Sequence, residues 1–269
     1  RVQSFSQINV KDNEPDPVFL VGFPRSGTTL LGQILDSHST LVMIEERPML
    51  NELVEKVRSS HGGYPDGIEA LSDNDVADLR QHYFDAVDKE CNRQPGQIII
   101  DKFPLHLVHV GLILRVFPKA RFIFALRHPC DAVLSCFMQS FSPNAAMANF
   151  FSTPRAAKTY DLVMNLWQHY EALYDPDKHF IRYEDVVADF DGEVQRLLEF
   201  LGLDWEDSVR DYADNARSKG RIDTPSYHQV TEAIYTRARY RWLRYEVELK
   251  PVLTTLMPWA ESFGYGVEE

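Results

Sequence analysis

The sequence predicts an α/β fold of three layers: a central parallel sheet, helices on both faces, and an active cleft at the strand C-termini. Three observations predict it. Short apolar, strand-length segments recur at Val18 to Val21, Leu41 to Ile44, Ile98 to Ile100, Phe122 to Leu126 and His179 to Arg182. Stretches with helical spacing of apolar residues lie between them, the alternation of a parallel sheet rather than of hairpins. After the first segment come Gly22 and Gly27 with four residues between them, the spacing of a nucleotide P-loop.

The bulk properties fit one large domain. With 269 residues and 44% hydrophobic content the chain can bury a full core. The expected organisation is a polar leader or linker over 1–17, ending in Asp-Asn-Glu-Pro-Asp-Pro, followed by one domain over 18–269. A net charge of −12 argues against nucleic acid or an anionic membrane as main partner, because either needs a basic face. No apolar run approaches the length of a membrane span. Cys91, Cys130 and Cys136 are an odd count without metal spacing, which predicts reduced thiols in a cytoplasmic protein and no metal. Cys130 and Cys136 read as small buried fillers. The sequence opens on Arg1 rather than Met, so a signal or a preceding domain stays open.

Taken in order, Val18 to Val21 is the first strand, and Thr28 to Leu35 is a helix, with Leu30, Leu31, Ile34 and Leu35 at helical spacing. Between them the loop faces a helix N-terminus whose first N–H groups have no intrahelical acceptor and whose dipole is positive: an anion cradle. The position that carries lysine in nucleotide-cleaving loops holds Thr28, followed by Thr29, so the loop is poorly equipped to cleave a γ-phosphate. The positive charge sits inside the loop instead, at Arg25. Its guanidinium fork suits a single phosphate or sulfuryl group without a metal.

Pro-Arg-Ser-Gly-Thr-Thr after a strand resembles the 5′-phosphosulfate loop of the sulfotransferase family, which uses 3′-phosphoadenosine 5′-phosphosulfate (PAPS) as donor. The resemblance is closest to the bacterial tetratricopeptide-linked and tyrosylprotein sulfotransferase-like group, and it runs from Val18 to about Trp242. It implies a P-loop nucleotide-type sulfotransferase fold, with Pro24, Arg25, Ser26, Gly27, Thr28 and Thr29 at the donor. It also allows an N-terminal tetratricopeptide-repeat region in a longer chain.

After Leu41 to Ile44, Glu45 and Glu46 fall where a strand ends, and a carboxylate there can take a proton from an attacking hydroxyl. The resemblance points to Glu46 as the base, with Glu45 as the substitute. One departure is visible: tyrosine-modifying relatives carry an arginine two places beyond the base, whereas Arg47 follows Glu46 directly and Pro48 takes that place. From Arg47 to Arg93 the pattern is helical, broken at Gly62 to Pro65 and restarting at Ser72 and Asp73. Ile98 to Ile100 leads to Lys102. The family places a lysine in a matching segment to stabilise the leaving oxygen, a role that suits a fixed cation at a strand end. A helix is expected from about Leu105. His106 and His109 within it read as surface or packing residues rather than metal ligands.

Phe122 to Leu126 is a continuous apolar strand that turns at Arg127, His128 and Pro129 into a helix with an acidic cap at Asp131. The resemblance implies that Arg127 and Ser135, eight residues apart, grip the 3′-phosphate of PAPS. His128 stands where the family usually has aspartate. Pro154 to Tyr174 is a long amphipathic helix, and His179 to Arg182 the last strand. Tyr183 follows as a structural or adenine-side residue. Helices are expected over Glu193 to Leu201, Trp205 to Tyr212, Tyr240 to Leu249 and Pro251 to Phe263. The basic, turn-rich stretch from Arg217 to Val230 has the profile of a lid over an anion. Ser226 within it, and Arg241 beyond, match in spacing a serine and a lysine that relatives place at the two phosphate ends of the donor.

The expected function is therefore sulfuryl transfer from PAPS to an acceptor hydroxyl on protein tyrosine, a carbohydrate or a small molecule. Arg25, Glu46 and Lys102 carry the chemistry. The alternatives are a non-catalytic module that binds PAPS or its product adenosine 3′,5′-bisphosphate (PAP), and a small-molecule P-loop kinase.

Overall fold

The structure, a computed structural model, describes residues 14–60, 62–139, 141, 146–218 and 238–266. Five strands form one parallel sheet: β1 (Val18–Gly22), β2 (Leu41–Glu45), β3 (Ile98–Lys102), β4 (Arg121–Leu126) and β5 (Lys178–Arg182), in the order β2-β3-β1-β4-β5. All five residues of β1 are buried, as expected of an unbroken apolar run at the centre of a parallel sheet. The register sets Val18 opposite Ile100 and Glu45 opposite Lys102. Connection β1 to β2 steps one way along the sheet and the later ones step back. With right-handed crossovers this puts helices on both faces.

Among the described residues the helices are α1 (Thr28–Leu35), α2 (Met49–Ser59), α3 (Asp73–Glu90), α4 (Val110–Val116), α5 (Pro129–Met138), α6 (Thr153–Tyr174), α7 (Tyr183–Ala188), α8 (Phe190–Leu201), α9 (Tyr212–Ser218) and α10 (Glu246–Ser262). Ser72 starts α3 with a reciprocal capping box to Asp75, and Gly202 ends α8 in the left-handed conformation.

Three expected elements differ. Trp205 to Tyr212 is not a helix: Asp207–Val209 is a 3-10 turn, and α9 starts only at Tyr212. The Trp205 indole donates to Asp207 Oδ1 at 3.0 Å, and the N–H groups of Val209 and Arg210 donate to the Glu206 and Asp207 carbonyls three residues back, the pairing of a 3-10 turn. The helix expected from Leu105 begins as a 3-10 turn, Pro104–His109, before α4. The boundary expected between Leu249 and Pro251 is absent, since α10 runs through both Pro251 and Pro258 and is preceded by a 3-10 turn, Arg241–Tyr245. The carbonyls these prolines leave unbonded belong to Val247 and Thr254, both exposed, where water can take them.

Contacts divide the chain into two compact units. The first comprises Arg1–Val21, Ser39–Ile123 and Leu166–Lys178. Its core is aromatic: Phe19 of β1 packs on Tyr83, Phe117 and Phe122 with ring centroids 5.9–6.5 Å apart. Removing such a ring costs about 3–5 kcal/mol. Arg80 is buried among these rings and donates to Asp16 Oδ1 at 2.6 Å and to the Val116 carbonyl at 3.0 Å. Asp16 lies in the segment expected to be a linker, and its second oxygen accepts the Lys119 N–H at 2.7 Å.

His106 and His109 are packing residues of this unit. His106 is buried and stacks on Phe103 at 4.6 Å. His109 Nδ1 lies 2.6 Å from the Tyr64 hydroxyl. Burial, aided by His106 and Arg58, pushes the His109 pKa down to about 4. The folded chain thus keeps His109 neutral while the unfolded chain binds a proton below its ordinary value near 6.5, so stability is present above that value and lost as the pH falls towards 4. The expected loss is about 2–3 kcal/mol. Melting curves between pH 7 and pH 4 check it: H109F should be less stable at pH 7 but lose less on acidification, and an unchanged pH dependence would exclude His109 as a source.

The second unit comprises Gly22–His38, Phe124–Asn165 and His179–Glu269. Phe23 packs on Tyr160 at 4.8 Å and Phe150 at 5.7 Å, and Phe124 on Phe180 at 5.2 Å. The buried Glu184 of α7 accepts the His128 N–H at 3.1 Å and the Tyr265 hydroxyl at 2.9 Å, tying α7, the start of α5 and the C-terminal segment together. Cys130 and Cys136 are fully buried, and burial pushes the Cys130 thiol up to about 12. That is the behaviour of filler rather than of a reactive thiol.

Candidate active site

The loop of the second unit is built by its glycines. A Cβ on Gly22 would meet the Ala125 carbonyl oxygen at 2.5 Å, so only glycine lets this turn lie against β4. Gly27, at φ +93°, is the N-cap of α1 and has no side chain to bond the first free N–H groups; the first turn of α1 also carries no acid. Thr28 and Thr29 open that turn, and both are buried. Those N–H groups are left for an anion. A Cβ on Gly27 would lie 3.1 Å from the Tyr183 ring, which walls the loop. Arg25 has φ +72°, a left-handed backbone that costs a non-glycine residue about 1–3 kcal/mol.

Two sequence-predicted residues meet Arg25. Its Nε donates to Ser135 Oγ on α5 at 3.2 Å, and its carbonyl accepts Arg127 Nη1 at 3.1 Å. Arg127 also donates through Nη2 to the Ala238 carbonyl at 2.7 Å, and its guanidinium lies 5.2 Å over the Tyr183 ring. The second unit thus brings together Pro24 to Thr29, Arg127, Ser135 and Tyr183. Cys136, fully buried, donates its thiol to the Pro24 carbonyl at 3.3 Å and fixes the loop from below.

The first unit holds the other predicted residues. Lys102 ends β3, and its ammonium is fully buried, 2.8 Å from Glu45 Oε1 and 2.9 Å from Glu46 Oε1. Glu45 reaches it as the cross-strand neighbour in β2, whereas Glu46 has left the strand with φ +50° and donates its N–H to the Lys102 carbonyl. Arg47 turns instead to a surface pair with Glu90 at 3.2 Å. A lysine in this position is fully withdrawn from solvent.

Asp131 corrects an expectation. The cap of α5 is His128, whose Nδ1 accepts the Cys130 N–H at 3.3 Å, while Asp131 Oδ1 accepts the Trp242 N–H at 2.8 Å. Burial, aided by Arg127, pushes the His128 pKa down to about 4, so its ring is a neutral acceptor at pH 7. With a neutral histidine as the cap, the Asp131 carboxylate is not used by its own helix terminus. Neither Asp131 nor Cys136 was legible as a site residue, because their partners lie 111 and 112 residues away in sequence.

Arg241 sits at the start of its 3-10 turn with its guanidinium 5.8 Å from the Tyr245 ring. Ser226 lies outside the described residues. Among the described residues no group of three or more His, Cys, Asp or Glu could hold a metal, and no helix is long and apolar enough to cross a membrane.

Known proteins resemble this chain in sequence and in fold. The chain is 31% identical over 248 residues to an uncharacterized protein of Aquifex aeolicus (strain VF5), a match covering 89% of this chain but 32% of that relative's length. In structure it is similar to the sulfotransferase domain of the Synechococcus PCC 7002 olefin synthase, with TM-score 0.63 at 18% identity over 97% of this chain and 100% of that one. It is also similar to the mouse sulfotransferase SULT7A1 complexed with PAP, with TM-score 0.52 at 20% identity over 92% of this chain and 86% of that one. The model of the Sulfotransferase family matches residues 17–207, so that the loop, Glu45, Glu46, Lys102, Arg127, Ser135 and Tyr183 all fall inside the match. This chain belongs to the sulfotransferase family.

Proposed function

We propose that the chain moves the sulfuryl group of PAPS to an acceptor hydroxyl, with residues 18–269 acting as one sulfotransferase domain. The observation that carries this reading is the meeting of Arg25, Arg127 and Ser135 beside an uncapped helix N-terminus in one unit. That arrangement suits a donor with two anionic ends. PAP bound to the mouse sulfotransferase is the product such a donor leaves.

The loop amides with Arg25, Thr28 and Thr29 take the 5′-phosphosulfate. Arg127 and Ser135 take the 3′-phosphate, with Tyr183 beneath the guanidinium on the adenine side and Ser226 and Arg241 adding contacts at the phosphate ends. Lys102 neutralises the bridging oxygen of the 5′-phosphate as its bond to sulfur breaks. Glu46 accepts the acceptor's proton as the new oxygen–sulfur bond forms, and PAP leaves. Both carboxylates pair with Lys102; Glu46 is assigned the proton because it stands past the strand end in a strained backbone, whereas Glu45 stays in register within β2. Catalysis is then alignment and electrostatics, as in phosphoryl transfer. Free thiols at Cys91, Cys130 and Cys136 support a reducing, cytoplasmic setting.

Calorimetry with PAP, followed by labelled PAPS offered to tyrosine peptides, carbohydrates and phenols, tests the reading. Saturable PAP binding and label transfer that persists in EDTA are expected. Binding without transfer to any class would make the chain a donor-binding module, and transfer that needs Mg²⁺ would return the kinase reading.

A further inference from the structure

The carboxylate of Asp131 is 1% exposed and belongs to none of the roles assigned above. Burial pushes its pKa up to about 6; Arg127 and the backbone N–H groups of Trp242 and Arg241 pull against that rise, and Glu184 adds to it. Keeping a charge there at neutral pH is costly, and an amide would satisfy the Trp242 N–H without that cost. Among the described side chains, the charge has one cationic partner. Asp131 Oδ2 lies 3.9 Å from Arg127 Nη2 and has no hydrogen-bond donor among the described residues.

Arg127 needs such a holder. Its two terminal nitrogens donate to neutral carbonyls from two different elements, Arg25 in the loop and Ala238 in the segment leading to the 3-10 turn, and among the described residues its Nε has no partner. Neutral carbonyls leave the charge available to an anion, but they do not by themselves choose one orientation of the fork. The same segment is seated by Asp131 a second time, through Trp242. The Trp242 ring stacks on His128 at 5.0 Å with an interplanar angle of 14°, and its backbone N–H is held by Asp131 Oδ1.

We propose that Asp131 is a positioning residue for donor binding: through its two oxygens it orients the Arg127 guanidinium and clamps residues 238–242, so that anion binding and the seating of this segment are one event. The inference rests on the reading of Arg127 as a donor-phosphate ligand. Lys102 and Glu46 lie on other elements, so removing the Asp131 charge should weaken donor capture while leaving the chemical step of the saturated enzyme largely intact.

The test uses the full chain and two variants. D131N keeps an oxygen for the Trp242 N–H and puts a neutral amide nitrogen in place of the charged Oδ2 near Arg127; W242A keeps the charge and removes the stacked ring that seats the segment. Each is expected to raise the PAP Kd and the PAPS KM about tenfold, the scale of one well-placed charged contact, with kcat at saturating PAPS within about threefold of the wild type. Melting temperatures taken alongside report folding, and the KM-against-kcat split separates positioning from loss of structure, which would scale kcat with the amount folded. PAP affinity unchanged in D131N overturns the proposal, as does a fall in kcat without a rise in KM. If wild-type PAP binding itself is absent, it is the underlying reading of Arg127 that fails.

Discussion

Replacing Lys102 with methionine is expected to lower turnover by about a hundredfold or more, with PAP affinity within about threefold of wild type. The ammonium is fully buried and lies within 2.9 Å of two carboxylates, so it is fixed before any reaction begins and needs no reorganisation to meet developing charge. Loss of one such preorganised group in other enzymes costs about 2.7–4 kcal/mol of transition-state stabilisation, whereas a mobile surface lysine would cost little. The substitution also leaves Glu45 and Glu46 without their shared counter-ion, so some folding stability goes with it. E46Q provides the control: it keeps the shape, removes the proton acceptor, and is expected to lose about a hundredfold in turnover. Single-turnover measurement of labelled transfer reads both. If neither variant slows the chemical step, the assignment of Lys102 and Glu46 falls.

Replacing Arg127 with alanine should weaken PAP binding by about a hundredfold or more, since it removes the charged, bidentate-capable fork assigned to the 3′-phosphate. The expected response of R127K is partial. Lysine keeps the charge but cannot reach the Arg25 and Ala238 carbonyls and an anion with one planar group. Calorimetry at two salt concentrations checks the size of the loss, and melting curves check that the second unit still folds. A PAP affinity within threefold of wild type in R127A would show that the 3′-phosphate is held elsewhere.

Much of this site was legible in the sequence because its residues sit at the ends of strands. Gly22, Gly27, Arg127 and Lys102 each follow an apolar run that can only be a buried strand, and where such a strand ends is a local property of the chain. Ser135, inside α5, was singled out by the family resemblance and its spacing from Arg127 rather than by its place at a strand end. The choice between Glu45 and Glu46 was not, since it depends on which carboxylate remains in register with Lys102 and which has turned out of β2. Trp205 to Tyr212 has helical spacing but closes i to i−3 backbone bonds instead, and spacing over so few residues does not separate the two.

The sequence by itself determined the strand ends, the helix that receives the loop, and the kind of anion they suit, because each follows from periodicity, glycine positions and charge within about ten residues. The tertiary structure alone decided that Asp131 holds the Trp242 N–H rather than capping its own helix, that Cys136 supports the loop, and that Lys102 rests between two carboxylates. Those pairings join residues distant along the chain. Burial makes them matter: a charge or donor out of water must find its partner among whatever the fold places beside it, and local spacing says nothing about which residue that is.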